Sequence, residues 1–232
     1  MKIALIVGIN YYANVDNLYG CVNDAYNVKS VLERNGDGSI NFDCKIITAS
    51  SDRDKNERGN LKDNNKQLFF TKSETALLYF AGHGHFGSGG GYLLTSEAKR
   101  SDDGISLDEI LLMANQSNAT NKIIILDSCH SGIAGNPSMH DNKAFLSEGV
   151  TILTASTSDQ YANEENGSGI FTNLLVDALS GSAAKSATGF TEALRSAARL
   201  SCQTPKAKKA MESATAERWK VIHQSFERDF TD

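Results

Sequence analysis

The stretch that decides the fold is Thr75-Ala76-Leu77-Leu78-Tyr79-Phe80-Ala81, followed at once by Gly82-His83-Gly84-His85. Seven residues without a charge, bounded by glycine, read as a strand buried on both faces. The same grammar recurs along the chain. Residues 3–9 are a continuous apolar run, Phe42–Ala49 is a second strand, and Lys122–Leu126 is another, ending in Asp127-Ser128-Cys129-His130-Ser131-Gly132. Val150–Ala155 is a fifth.

Between these runs the period changes from two to nearly four. In residues 21–34, Val22, Ala25, Val28, Val31 and Leu32 share one helical face, and Asn35-Gly36-Asp37-Gly38 stops that helix. The charged stretch 51–68 reads as a loop leading into a polar helix. Tyr92–Thr95 reads as the return of a hairpin. Leu107–Ala114 is a short helix with Ser106 as its N-cap and Glu109 three residues on. Residues 170–179 and 190–200 carry amphipathic spacing, and 206–228 reads as a polar helical tail. Strands alternating with helices imply an α/β sandwich around a mostly parallel sheet.

Composition narrows the function classes. The 232 residues are 40% hydrophobic, enough for one sizeable core, and no Pro- or Ser-rich linker divides them, so a single domain over 1–232 is expected. A net charge of −5 offers no surface for a phosphate backbone, so no nucleic acid is expected as partner. No run approaches the roughly 20 apolar residues that span a bilayer, and the apolar start, cut short by Asn10-Tyr11-Tyr12, lacks the cleavage site of a secretory leader. The expectation is therefore a cytoplasmic protein without a membrane partner. Cys21, Cys44, Cys129 and Cys202 are scattered, which suits free thiols.

In open α/β sheets, sites form where loops leave the carboxyl ends of strands. Segments 82–85 and 127–132 both hold that position. If their strands are neighbours, His83 and Cys129 become a base and a nucleophile in reach of one another. His130 is an alternative partner, but adjacent residues usually point apart. The His83-Gly84-His85 pair also suits zinc, with Asp127 or His130 as third ligand, although neither a second HxH nor an HExxH occurs. The Gly87–Gly91 run lacks the G-K-[ST] of a phosphate loop and reads as a hairpin tip.

Tyr79-Phe80-Ala81-Gly82-His83-Gly84 and Asp127-Ser128-Cys129-His130-Ser131-Gly132 resemble the two signature motifs of the caspase-like cysteine peptidases, in the metacaspase and bacterial caspase-like (orthocaspase) branch. Ile6–Tyr11, Leu18–Ala25, Thr154–Gln160 and Gln203–Pro205 are similar too, so the resemblance runs from residue 1 to about 205. His83 precedes Cys129 by 46 residues, near the roughly 50 of caspases, but the Q-A-C-[RQG]-G of animal caspases is absent.

The resemblance implies a three-layer caspase-hemoglobinase-like sandwich, with about six strands and helices on both faces. It divides the chain into a large-subunit-like part over about 1–135, a candidate processing loop at 133–148 whose only basic residue is Lys143, and a small-subunit-like part over about 149–232. It assigns His83 as base, Cys129 as nucleophile, and the amides of Gly84 and Cys129 as the oxyanion hole. It places Asp24 and Asp127, with Cys21 at the wall, in an S1 pocket for a P1 Arg or Lys.

Ala81 stands where some relatives have a pocket serine. Asp102-Asp103, with Glu97 near, stands where some bind calcium, whereas Asn136 replaces an acidic residue expected after the nucleophile; the plain reading of Asp102-Asp103-Gly104 is a turn. The implied function is endopeptidase cleavage of protein or peptide substrates after basic residues, regulated in stress, cell death or defence by a partner or a small signal. No cofactor is required, and calcium is the one ion to test. The rival readings are a non-catalytic caspase-like scaffold and a zinc-dependent hydrolase.

Overall fold

The computed structural model describes residues 1–87, 90–99, 103–128, 149–154, 164–165 and 168–182. Cys129, His130, Asn136, Lys143, the processing loop, Asp102 and the helices expected at 190–200 and 206–228 lie outside the described residues. The chain divides into two compact units, Met1–Val176 and Asp177–Asp232. In the second, the described part is Asp177 and a π-helical turn over Ala178–Ser182.

Five strands of the first unit form one sheet: β1 (Lys2–Ile9), β2 (Phe42–Ala49), β3 (Thr75–Ala81), β7 (Asn121–Asp127) and β8 (Val150–Thr154). Their order is β2-β1-β3-β7-β8 and every pairing is parallel. The expected parallel α/β sheet is present, with five strands among the described residues. Three short strands, β4 (Gly84–Gly87), β5 (Gly90–Leu93) and β6 (Ile105–Ser106), make a separate antiparallel sheet. A two-residue pair, β9 (Glu164–Glu165) with β10 (Ser168–Gly169), precedes the last helix.

Side chains of a strand alternate between faces, and the parallel register carries that alternation across the sheet. Ile3, Leu5 and Val7 of β1, Leu78 and Phe80 of β3, and Ile124 and Leu126 of β7 join one buried cluster with residues of α2 (Arg58–Phe70) and α3 (Leu107–Asn115). The intervening residues face α1 (Cys21–Leu32) and α4 (Ile170–Asp177). On that side a Cβ at Gly8 would strike the Cys21 carbonyl and Ala25, and Tyr79 bonds Thr172. Helices thus cover both faces.

The helix ends follow local chemistry. Ser106 Oγ accepts from the Asp108 amide, capping α3 as expected, at 3.2 Å. In the charged stretch, both Asp54 carboxylate oxygens accept from Ser50 and Ser51, which tightens Asp52–Asp54 into a 3₁₀ turn and delays α2 to Arg58. β1 is followed by β2 on one side and β3 lies on the other, so the strand order reverses between β1 and β3. Their carboxyl ends open the crevice in which such sheets bind ligands.

Candidate active site at the strand ends

The crevice is built first from the loop after β1. Asn10, at the loop's root, donates from Nδ2 to the Tyr19 carbonyl at 3.1 Å and accepts from the Val22 amide at 3.2 Å, tying the loop's end to the start of α1. Asn17 Oδ1 accepts from the Tyr12 amide at 2.8 Å, which closes a tight inner turn. The loop carries two groups to His83. The hydroxyl of buried Tyr12 accepts the His83 amide at 2.8 Å, and the two rings lie 4.7 Å apart between centroids. A Cβ on Gly82 would stand 2.6 Å from that hydroxyl, so the position before His83 must be glycine for Tyr12 to approach.

The second group is the carbonyl of Asp16, 2.8 Å from His83 Nε2. A carbonyl only accepts, so Nε2 carries the hydrogen, and the neutral ring keeps its lone pair on Nδ1. In its neutral form the imidazole thus has one defined acceptor nitrogen, Nδ1.

Beyond His83 the chain turns into β4. The Leu94 amide donates to the His83 carbonyl at 2.9 Å, just outside the pair Gly84 with Leu93. Bonds placed so mark a non-hydrogen-bonded antiparallel pair, whose amides point away from the partner strand. The Gly84 N–H is therefore turned out of the hairpin. Next to β3 stands β7: Ala81 is in register with Asp127, and the Gly82 amide donates to the Asp127 carbonyl at 3.3 Å. His83 follows Ala81 by two residues, as Cys129 follows Asp127 in the sequence.

The three residues expected at S1 lie on the α1 face. Cys21 and Asp24 stand one helical turn apart in the first turn of α1, both buried. Asp127 closes β7 on the same face, beside Ala81. Asp24 is 2% and Asp127 6% exposed, and such carboxylates are costly unless donors compensate them. One segment supplies a donor to each. The Gly169 amide donates to Asp24 Oδ2 at 2.9 Å, and Thr172 Oγ1 donates to Asp127 Oδ2 at 2.6 Å. A Cβ on Gly169 would strike Asp127 Oδ2 and stand 3.3 Å from Asp24 Oδ2, so the two carboxylates converge on that glycine.

The profile of the caspase domain matches residues 1–218. The chain belongs to the caspase-domain family. That family is one of cysteine peptidases, and the sandwich with its mostly parallel sheet is the caspase fold. No curated protein matches the chain significantly.

Within this caspase domain, sequence reasoning missed the groups that hold the site's side chains. The Asp16 carbonyl is a backbone atom with no signature in residue type. Tyr12 entered only as the end of an apolar run, and Asn10 as that and as part of the Ile6–Tyr11 stretch, with no role. Thr172 read as an ordinary helix residue and Tyr79 as one member of a buried strand.

Around the caspase domain's other expected residues, Asp103 Oδ2 accepts from the Lys99 amide at 3.0 Å, an ordinary turn contact, and Gly104 packs on the Leu93 backbone. Glu97 Oε1 accepts the Arg58 amide at 2.6 Å and so caps α2. Among the described residues no three His, Cys, Asp or Glu side chains cluster as a metal site would, and no helix is long and apolar enough to cross a membrane. Burial, with the nearby charge of Glu33, pushes the Cys44 thiol up to about 11, so Cys44 is an inert thiol.

Proposed function

We propose that this caspase domain is an endopeptidase of the metacaspase kind, cleaving after Arg or Lys with Cys129 as nucleophile and His83 as base. The observation that carries the basic preference is the convergence of Asp24 and Asp127 on Gly169 beside the β3 and β7 strand ends. Two buried carboxylates at one point suit a guanidinium or ammonium group better than any neutral or acidic side chain.

In this reading the Asp16 carbonyl fixes His83 so that Nδ1 takes the Cys129 proton. The thiolate attacks the scissile carbonyl. The outward amide of Gly84, with that of Cys129, stabilises the oxyanion. His83 returns the proton to the leaving amine, and water then hydrolyses the acyl-enzyme with His83 again as base. The register of Ala81 with Asp127, two residues before each reactive residue, supports the pairing.

The test is a fluorogenic panel with Arg, Lys and Asp at P1, run with and without calcium. Wild type is expected to cleave after Arg and Lys, Cys129→Ala to be inactive, and His83→Ala to lose about 10²–10⁴-fold in kcat. Activity surviving in Cys129→Ala overturns the nucleophile. Cleavage confined to Asp overturns the pocket.

A further inference from the structure

Thr172 lies in the first turn of α4, fully buried, and its Oγ1 makes two short contacts: 2.6 Å to Asp127 Oδ2 and 2.6 Å to the Tyr79 hydroxyl. A hydroxyl has one proton. An ionised carboxylate can only accept, so Thr172 spends its proton on Asp127, and the second contact must be Tyr79 donating to Thr172. Burial first, then the charges of Asp127 and Asp24, hold the Tyr79 phenol well above its ordinary pKa, so it keeps the proton that it donates. The result is a directed chain, Tyr79 O–H to Thr172 O–H to Asp127, in which each bond polarises the next.

Three residues before Thr172, the Gly169 amide holds Asp24. One four-residue segment, Gly169 to Thr172, therefore donates to both carboxylates, from a different part of the chain than the strand and helix that bear them. A guanidinium fork is read by carboxylate oxygens at fixed angles, so whatever fixes those oxygens sets P1 selection.

We propose that Thr172 is a positioning residue for the P1 side chain, acting with Tyr79 through Asp127. The proposal rests on the reading of Asp24 and Asp127 as the basic-residue pocket. Thr172 touches no reacting atom. Its hydroxyl holds Asp127 Oδ2 aimed, and the backbone three residues earlier does the same for Asp24 Oδ2.

The experiment compares kcat and KM for matched peptides with Arg or citrulline at P1, citrulline being the uncharged isostere. Thr172→Val keeps the side chain's shape and removes the donor, leaving the Tyr79 hydroxyl without its acceptor. The expected result is a fall of about 10-fold in the Arg-to-citrulline ratio of kcat/KM, carried by KM, the loss typical of a hydrogen bond to a charged group. Thr172→Ser restores the ratio. A merely structural role lowers kcat for both peptides alike and leaves the ratio unchanged.

Wild type without preference for Arg overturns the pocket reading and this proposal together. Wild type that prefers Arg, with a folded Thr172→Val that prefers it equally, overturns this proposal alone. If Thr172→Val fails to fold, Tyr79→Phe decides: about a 2- to 5-fold fall in the ratio supports the relay, and an unchanged ratio overturns it.

Discussion

The two faces of the central sheet are made by alternate residues of the same strands, yet they differ in kind. The face toward α2 and α3 carries Leu5, Val7, Leu78, Phe80, Ile124 and Leu126, apolar throughout. The face toward α1 and α4 is also apolar along most of its length, with Ile6, Leu77 and Ile125 buried, but its carboxyl end carries Gly8, Tyr79, Ala81 and Asp127 at neighbouring register positions, closed over by Asp24 and Thr172. One side gains stability from volume and dispersion. The other does the same except at its carboxyl end, where the buried carboxylates of Asp24 and Asp127 are met by donors. A strand can serve both because its period of two keeps the demands apart.

That contrast is broken most severely from the apolar side. Leu78→Ala opens a cavity in a close-packed apolar cluster, and about 2–5 kcal/mol of stability should be lost, measured as the shift in denaturant midpoint. The folded fraction should keep its preference for Arg over citrulline at P1. Loss of that preference at unchanged fold would mean that the two faces are not separable. The converse is Gly8→Ala. Its Cβ would meet the Cys21 carbonyl and stand 2.8 Å from the Ala25 Cβ, so α1 must move off the sheet. About 1–3 kcal/mol should be lost to overpacking, and because Asp24 rides on α1 the P1 preference should fall too. Loss of stability with the preference intact would detach Asp24 from the pocket.

The apolar face was legible in the sequence and the other only in part. The runs at 3–9, 42–49, 75–81 and 122–126 became β1, β2, β3 and β7 within a residue or two, because β1, β3 and β7 carry long apolar stretches that suit strands buried on both faces, while β2, at the sheet edge, keeps Asp43 and Lys45 exposed. His83, Asp24 and Asp127 were singled out as candidates through the motifs that resemble caspase-like peptidases. What stayed hidden is what holds them. The Asp16 carbonyl belongs to every residue type alike, and its place depends on Asn10 and Asn17 folding the loop. Thr172 acts across 45 positions of sequence, and Tyr79 looks apolar until its hydroxyl is seen to end on Thr172. Local periodicity reports which face a residue takes, but not which donor a distant segment brings to that face.

The smallest effect sharpens the contrast through pH. The Tyr79 phenol is raised above its ordinary 10.0 and the Cys44 thiol from 9.0 to about 11, both mainly by burial. In each case the native state holds its proton at a pH where the unfolded chain releases it, so stability is complete below the unfolded pKa and falls as pH rises beyond it. The Cys44 contribution is lost between about pH 9 and 11, and that of Tyr79 from about pH 10 upward. Denaturant midpoints measured from pH 8 to 11 should show both limbs in wild type. Cys44→Ala should remove the earlier one. Tyr79→Phe should remove the later one, at some cost at neutral pH from the Thr172 acceptor it leaves unmet. A Tyr79→Phe profile that declines above pH 10 as steeply as wild type would mean that the phenol ionises freely in the native state, and a phenolate cannot donate to Thr172; the relay to Asp127 would then have no source.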